Sequence, residues 1–542
     1  MKLAREAYQA LEDIVGPEYI TQEEVIGESY NQVWGNKLVF GQKQTTPPAA
    51  ILLPATTGEI QAIVKACNQY GILFKAFASG FEFVATALEK ERSIILDLRR
   101  MNRILEIDAR NMHAVIEPYV SVYKLQMEAA KCGLYTGRPG VGYGANVLAL
   151  TCCHQEMTNS QVYTSGFGRN VLGVEWVLPT GDLLTLGTSG RENGWFSADG
   201  PGFSLRGILR GRSGANGGHG VITKASVKLY PWFGPPEWEM VREPGEPPSY
   251  AQIEKVPDRY RAFIITFPSM ENMMKASAEI AYEEISCVLI PGFTEVGFNG
   301  EGNDEEWTML QNVSPEEVEE ARNSVTVIIN SHSAGELAYR EKCLMTIREQ
   351  YGGYLLPRMN DPKTQARLFM YQMWSTGVPG LRATGDFMVS IQGADGSQNM
   401  MMNLRPIEAE AAAPFVKSGA LLQSLSGIMY RPQEHFSVGC SCGIGTNFDP
   451  WDPVSLEAAR KYMNEVYDPN GKFRRFGYTS RGAMIQAESI DHIHQRWGPM
   501  YENCDYWLRQ VKKMLDPNNV ADWLAYIPSD YPDEKGKAEI NT

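Results

Sequence analysis

Gly202-Phe203-Ser204-Leu205-Arg206-Gly207-Ile208-Leu209-Arg210-Gly211 leads, past Arg212, through Ser213-Gly214-Ala215-Asn216-Gly217-Gly218-His219-Gly220 into Val221-Ile222-Thr223-Lys224-Ala225-Ser226-Val227-Lys228-Leu229-Tyr230-Pro231. An apolar turn of helix meets a glycine-saturated bend. The bend feeds a strand in which Val221, Thr223, Ala225 and Val227 alternate with Ile222, Lys224, Ser226 and Lys228. Glycines in this density supply positive-φ positions and bare N–H groups, so backbone can approach an anionic or planar ligand with no Cβ in the way. Glycine count alone reads equally as a tight structural turn.

Upstream, residues 1–47 read as a helical lead-in. Ala49-Ala50-Ile51-Leu52-Leu53-Pro54 is a short buried-strand pattern, and Thr56 with Glu59 has capping-box spacing before Ile60, Ile63, Val64 and Cys67 at helical period and Gly71 past the end. Short strands follow at Leu73–Phe77, Ser93–Leu98, Met101–Asp108 and Ala114–Pro118, then a helix from Val122 to Lys131 stopped by Gly133. Val171-Leu172-Gly173-Val174-Glu175-Trp176-Val177-Leu178-Pro179-Thr180-Gly181-Asp182 reads as a hairpin with a Thr-Gly-Asp turn. The pattern is α+β rather than strict alternation of strand and helix.

Downstream, the proline-rich stretch 232–250 reads as a linker. Strands at Tyr260–Phe267, Ser286–Ile290, Ser324–Asn330, Gly385–Ile391 and His435–Cys440, with helices Met270–Tyr282 and Gly335–Tyr351, predict a separate α+β unit with a largely antiparallel sheet. A helix near 500–515 stops at Asp516-Pro517-Asn518-Asn519, because Pro517 cannot continue it.

The chain resembles the vanillyl-alcohol oxidase / p-cresol methylhydroxylase (PCMH-type FAD-binding) flavoprotein family. The resemblance runs through the loop after Leu73–Phe77, Ile95-Leu96-Asp97-Leu98 with Met101-Asn102-Arg103-Ile104, the loop Pro139-Gly140-Val141-Gly142-Tyr143-Gly144-Ala145-Asn146, the 171–182 hairpin, the Gly220 strand start and the Leu515-Asp516-Pro517-Asn518-Asn519 tail. It covers roughly 48–235 and 476–525. It implies a two-subdomain FAD-binding domain over 48–235, a substrate-binding cap over 250–475 and a segment 476–542 returning to the FAD domain.

Cofactor contacts implied by the resemblance are Ala78, Ser79, Gly80, Phe81, Glu82 and Phe83; Pro139, Gly140, Gly142, Gly144 and Asn146; and Gly220, Val221 and Ile222. Glu82 departs from the family, since a carboxylate beside pyrophosphate is unfavourable unless it meets a cation. No tethering histidine or cysteine stands in the first two loops, so FAD is expected to be noncovalent. Tyr478 and Arg481 resemble a Tyr-Arg pair that stabilises negative charge on substrate oxygen, with two residues intervening where the family pair is adjacent; arginine suits the role because it stays charged and can bind bidentately. His154 and His435 are candidate proton acceptors, although a histidine in such a setting is more often an ordinary core or surface residue.

Other classes find little support. A net charge of −14 with scattered Lys and Arg argues against nucleic-acid binding. There is no Rossmann G-x-G-x-x-G after a strand, no P-loop and no H-E-x-x-H. Nine cysteines are too sparse for a disulfide scaffold, and neither Cys152-Cys153-His154 nor Cys440-Ser441-Cys442 has a second ligand pair, so no metal is expected. The charged start and the lack of any run of about 18 apolar residues predict a cytoplasmic protein without a membrane span.

The expected function is therefore hydride transfer to FAD from an aromatic or phenolic alcohol or alkyl side chain. The expected partners are a small aromatic substrate, an electron-accepting protein as an alternative to oxygen, and further copies of the chain. A 2-hydroxy-acid dehydrogenase is the second reading, but with only seven histidines the chain lacks the H-x-D-G-N-x-H run of such relatives. A flavin-poor structural or binding subunit is the third.

Overall fold

The computed structural model describes residues 2–30, 47–80, 93–137, 143–153, 164, 169–187, 194–195, 204–209, 218–241, 253–291, 308, 312, 314–374, 389–396, 398–421, 440–446, 448–449, 451–466, 468, 471–473 and 504–522. Strands β1 (Ile20–Thr21), β2 (Ala50–Leu52), β3 (Leu73–Phe77) and β4 (Ser93–Asp97) form one sheet in the order β1-β2-β4-β3, the last three parallel. Helices Arg5–Val15 and Thr57–Tyr70 bury Leu11, Ile60, Ile63 and Val64 in its core. Residues 5–21 of the lead-in are thus built into this sheet and its core.

The local signals act as read. Thr56 Oγ1 accepts the Glu59 N–H at 3.1 Å, while Glu59 reaches back to the Ala55 N–H at 2.8 Å, one residue short of a reciprocal box. Gly71 closes the helix in the left-handed region at φ +63°.

A second sheet follows from β5 (Ile104–Asp108), β6 (His113–Ile116), β7 (Leu134–Tyr135), β8 (Val171–Val177), β9 (Leu183–Leu186), β10 (Val221–Lys228) and β11 (Tyr230–Pro231). Five of these pair antiparallel in the order β5-β6-β10-β8-β9, and β7 pairs with β11. The alternation read along β10 does not separate a core face from a solvent face. Flanked by β6 and β8, it buries Ile222 and Ser226 as well as Val221, Ala225 and Val227, and only Lys228 is exposed. Val221 joins the first core and Ile222 the second, so this strand lies between them.

The third sheet comprises β12 (Tyr260–Thr266), β13 (Ser286–Pro291), β14 (Ser324–Asn330) and β15 (Tyr354–Leu355), antiparallel in the order β13-β14-β12-β15. Helices Met270–Tyr282 and Ala334–Gln350 share one core with Ala411, Ala459 and Tyr462, while helix Pro362–Trp374 contributes Phe369 to another. Strands β16 (Val389–Gly396) and β17 (Cys440–Thr446) form a two-stranded ladder. Both continue beyond the ends expected from sequence, at Ile391 and Cys440.

The stretch read as a linker carries packing of its own. Trp232 is 8% exposed, its ring 5.3 Å from Tyr135 and 5.9 Å from Tyr260, and Trp238 lies 5.6 Å from Phe369. Large aromatic side chains override the prolines around them because their burial is worth several kcal/mol, about 2–3 each.

Candidate functional site

The first candidate loop leaves the carboxyl end of β3, where parallel sheets present ligand sites. Gly80 has φ +70°, and a Cβ there would lie 2.8 Å from the Phe77 ring. Beside it Tyr30 packs edge-on against Phe77 and donates to Asp97 Oδ2 at 2.5 Å, where Arg99 Nε also donates at 2.8 Å. Burial, then the bond to Asp97, holds the Tyr30 phenol protonated well above its ordinary range. The fully buried Asp97 at the end of β4 therefore has a fixed ring of donors rather than a free charge.

The second candidate loop lies along the start of helix Val122–Lys131. The Val122 N–H donates to the Ala145 carbonyl at 2.9 Å, Tyr123 N–H to Tyr143 at 3.0 Å, and Val147 N–H to Val120 at 3.0 Å. Ser121 Oγ caps Lys124 N–H. The first donors of this helix are engaged by the loop, so its N-terminus is not an open anion site. Gly144 is exposed, whereas Asn146 is 2% exposed, and its Oδ1 has no partner among the described residues. A buried amide oxygen without a donor is unfavourable by about 1–3 kcal/mol.

The third candidate segment is the bend before β10. Gly218 and Gly220 have φ +76° and +105°. A Cβ on Gly220 would stand 2.2 Å from the Val177 carbonyl, and one on Gly218 would stand 2.8 Å from the Ala521 and Asp522 carbonyls. Trp176 Nε1 donates to the His219 carbonyl at 2.8 Å.

Polar ties join the two sheets that carry these loops. Glu175 on β8 accepts from Thr57 at 2.6 Å, Thr223 at 2.9 Å and Lys224 at 2.8 Å. Burial raises this carboxyl, but bonds from Lys224, Thr57 and Thr223 outweigh it and leave Glu175 below the ordinary glutamate range. Asn68 Nδ2 donates to Pro179 and Gln61 Nε2 to Gly181, riveting helix Thr57–Tyr70 to the β8–β9 hairpin.

The carboxyl-terminal helix Cys504–Leu515 reaches the same place. Lys512 donates to the carbonyls of Gly218 and Ala521 and to Asp516 Oδ2. Beyond the helix Ala521 pairs with Phe74 of β3, and Ser93 Oγ donates to Asp522 at 3.3 Å. Lys512 and Glu175 were not singled out by sequence reasoning, and Asp516 was read only as part of the helix stop. The available signal for Lys512 and Asp516 is a Lys-x-x-x-Asp pair directly at a helix stop.

Ala78, Ser79, Gly80, Gly144, Asn146, Gly220, Val221 and Ile222 occupy the positions just described. Phe81, Glu82, Phe83, Pro139, Gly140, Gly142, His154, His435, Tyr478 and Arg481 lie outside the described residues. Cys152 is buried, and burial pushes its thiol up to about 12, so it does not offer a thiolate. Glu106, Asp108 and His113 place ligand-type atoms within 4.8 Å of one another. Asp108 nonetheless closes the β5–β6 turn by accepting from the Arg110 and Asn111 N–H groups and from Asn111 Nδ2.

The described elements of the candidate site are the loop end of a parallel sheet, positive-φ glycines packed closely against neighbouring chain, and a buried amide acceptor. Residues 48–187 match the FAD binding domain family, and the whole chain has the PCMH-type flavoprotein fold. The crystal structure of p-cresol methylhydroxylase with substrate bound superposes with a TM-score of 0.67 at 16% identity, covering 97% of each chain. The 4-cresol dehydrogenase [hydroxylating] flavoprotein subunit of Pseudomonas putida is 22% identical over 523 residues, 92% of this chain and 91% of that one. An uncharacterized FAD-linked oxidoreductase of Mycobacterium tuberculosis is 30% identical over 224 residues, 40% of this chain; the match spans 44% of that relative.

The residues fit FAD. The buried Asn146 oxygen, without a partner among the described residues, would accept a donor such as the imide N–H of a bound flavin ring, while Gly80, Gly218 and Gly220 are required by the protein's own close packing. Among the described residues no helix is long and apolar enough to cross a membrane.

Proposed function

We propose that the chain is an FAD-linked oxidoreductase acting on an aromatic or phenolic alcohol or alkyl side chain. The supporting observation is that likeness to a cresol-oxidising relative runs over 92% of the chain, well past the FAD-binding residues 48–187. In this reading 48–235 holds the cofactor, 250–475 covers the substrate and 476–542 returns to the cofactor domain.

Bound FAD would supply the hydride acceptor. The chain's own residues bind, orient and stabilise. Asn146 and the backbone of Ala78–Gly80 and Gly220–Ile222 hold the cofactor noncovalently. Arg481 with Tyr478 stabilises negative charge on the substrate oxygen, and His435 or His154 takes the proton. Arginine suits this task because it stays charged at all working pH values.

The relative's description as a flavoprotein subunit supports an electron-accepting partner protein. The described cysteines Cys67, Cys132, Cys152, Cys153, Cys287 and Cys343 are all free thiols, which supports a reducing, cytoplasmic setting. Oligomerisation belongs to the same proposal.

The test is the purified full-length chain. A yellow protein absorbing near about 450 nm, whose colour passes to the supernatant on acid precipitation, supports noncovalent FAD. Turnover of 4-alkylphenols with a dye acceptor then tests the substrate class. A colourless protein that takes up no added FAD sinks the proposal in favour of a structural subunit; colour held in the acid pellet sinks only the noncovalent assignment.

A further inference from the structure

The helix Cys504–Leu515 is turned inside out. Its buried positions, at helical spacing, are Asp505, Arg509, Lys512 and, just past its end, Asp516, while Trp507, Leu508 and Met514 are exposed. Burying charge is unfavourable unless every charge is paired and hydrogen-bonded. Here Arg509 meets Asp505 at 2.7 Å and Lys512 meets Asp516 at 2.6 Å. An ammonium has three donors, and those of Lys512 find Asp516, the Ala521 carbonyl and the Gly218 carbonyl. Asp516 in turn accepts the N–H groups of Val520 and Ala521, both at 3.0 Å.

This network fixes the direction of two successive peptides. The Gly218 carbonyl is held by Lys512 and the His219 carbonyl by Trp176 Nε1. In a planar trans peptide the N–H points opposite to the C=O. The Gly220 N–H is therefore turned away from Trp176, across the bend that Lys512 holds from the Gly218 side. Both glycine φ values are positive, a conformation that a side chain at either position would strain.

We propose that Lys512 is a positioning residue for the cofactor: it clamps the carboxyl-terminal tail to the Gly218–Gly220 bend and so orients the backbone donors presented to FAD. The inference rests on the reading that Gly220–Ile222 line the cofactor. The same ammonium holds Ala521, which pairs with Phe74 of β3, so one side chain joins the bend, the tail and the strand that ends in the Ala78–Gly80 loop. Cofactor binding and closure of the tail are then one coupled event, and coupling between two sites is reciprocal.

The experiment uses the full-length chain stripped of flavin. FAD affinity is measured by flavin fluorescence for the unmodified protein and for K512M/D516N, which removes both charges together and leaves no lone buried ion. The expected result is a Kd for FAD raised tenfold or more, with far-ultraviolet circular dichroism unchanged. Hydrogen exchange on the unmodified protein supplies an arm that does not depend on the variant's folding. Added FAD should slow exchange at Phe74, Ala521 and Asp522, outside the proposed cofactor contacts. Equal FAD affinity in the variant, or exchange at those amides indifferent to FAD while the unmodified chain binds it, overturns the clamp and leaves the cofactor reading intact. An unmodified chain that binds no FAD overturns that reading and the clamp with it.

Discussion

Replacing Gly220 by alanine tests the tightest approach in the molecule. The new methyl would stand 2.2 Å from the Val177 carbonyl oxygen, 3.1 Å from Trp176 Nε1 and 3.2 Å from the Leu178 carbonyl carbon. An ordinary carbon–oxygen contact is about 3.3 Å, so the bend must retreat by roughly 1 Å from a central strand. The obstacle is backbone on β8, which cannot rotate aside as a side chain would. Overpacking of this kind adds about 1–3 kcal/mol, a non-glycine residue at positive φ about 1–3, and the strained Trp176–His219 bond about 1, for roughly 5 kcal/mol in all. In a cooperative unit of about 150–250 residues each kcal/mol moves Tm by about 2–4 °C, so a fall on the order of 10 °C is expected. Gly71→Ala is the control, because Gly71 has φ +63° with nothing within 4 Å of a Cβ, and only conformational strain of about 1–2 kcal/mol applies. Differential scanning fluorimetry of both flavin-free variants measures the difference. If Gly220→Ala melts within a degree or two of Gly71→Ala, the close approach of bend to β8 is not a feature of the folded protein.

Asn146→Ala should not lower the flavin-free melting temperature, because it removes a buried Oδ1 that has no partner among the described residues, yet should weaken FAD about tenfold; a lowered flavin-free Tm with unchanged affinity would show a structural role instead. Glu175→Gln should flatten the acid limb of stability: a carboxyl lowered in the folded state contributes fully above its ordinary pKa of 4.5 and loses that contribution as pH falls below it, so an unaltered acid limb in urea melts from pH 6 to pH 3 refutes this. Glu82→Gly should retain FAD longer on dilution, since it removes a carboxylate beside the pyrophosphate; weaker retention would mean that Glu82 pairs with a cation. Arg481→Ala should lower kcat by about a hundredfold or more at full flavin occupancy, and unchanged turnover would move attention to Arg474 and Arg475.

What could be read along the chain was governed by how local its cause is. The helix from Thr57 ends at Gly71, and the one from Ser121 at Gly133, because a side-chain oxygen and a positive-φ glycine act within a few residues of where they stand. The helix Met270–Tyr282 was legible for the same reason, its cap Ser269 accepting from Asn272 N–H. Burial of both faces of β10 was not legible, because it depends on β6 and β8, which come from distant parts of the chain. The packing of Trp232 and Trp238 inside a proline-rich stretch depends on Tyr260 and Phe369 in the same way. At the candidate site the glycine bends announced themselves. Glu175 and Lys512 did not, since a carboxylate in a strand and a lysine in a helix are ordinary until three partners from elsewhere converge on them.

The charged inner face of the tail helix has a physical logic that an apolar face lacks. Apolar residues at Lys512 and Asp516 would stabilise this contact as well or better, because a buried ion pair scarcely repays its own desolvation. An apolar seam, however, tolerates small slides and rotations, since dispersion contacts are many, weak and interchangeable. An ammonium with three defined acceptors does not, for a slip of about 1 Å would leave a buried charge unsatisfied. The bend at Gly218 and the residues holding it are separated by 294 positions in the chain, and Ser93 from Asp522 by 429. Joining such distant segments in one register, between a sheet that carries Ala78–Gly80 and a strand that begins at Val221, calls for directionality more than for strength. On the cofactor reading, that is the condition for backbone donors to be in place before FAD arrives.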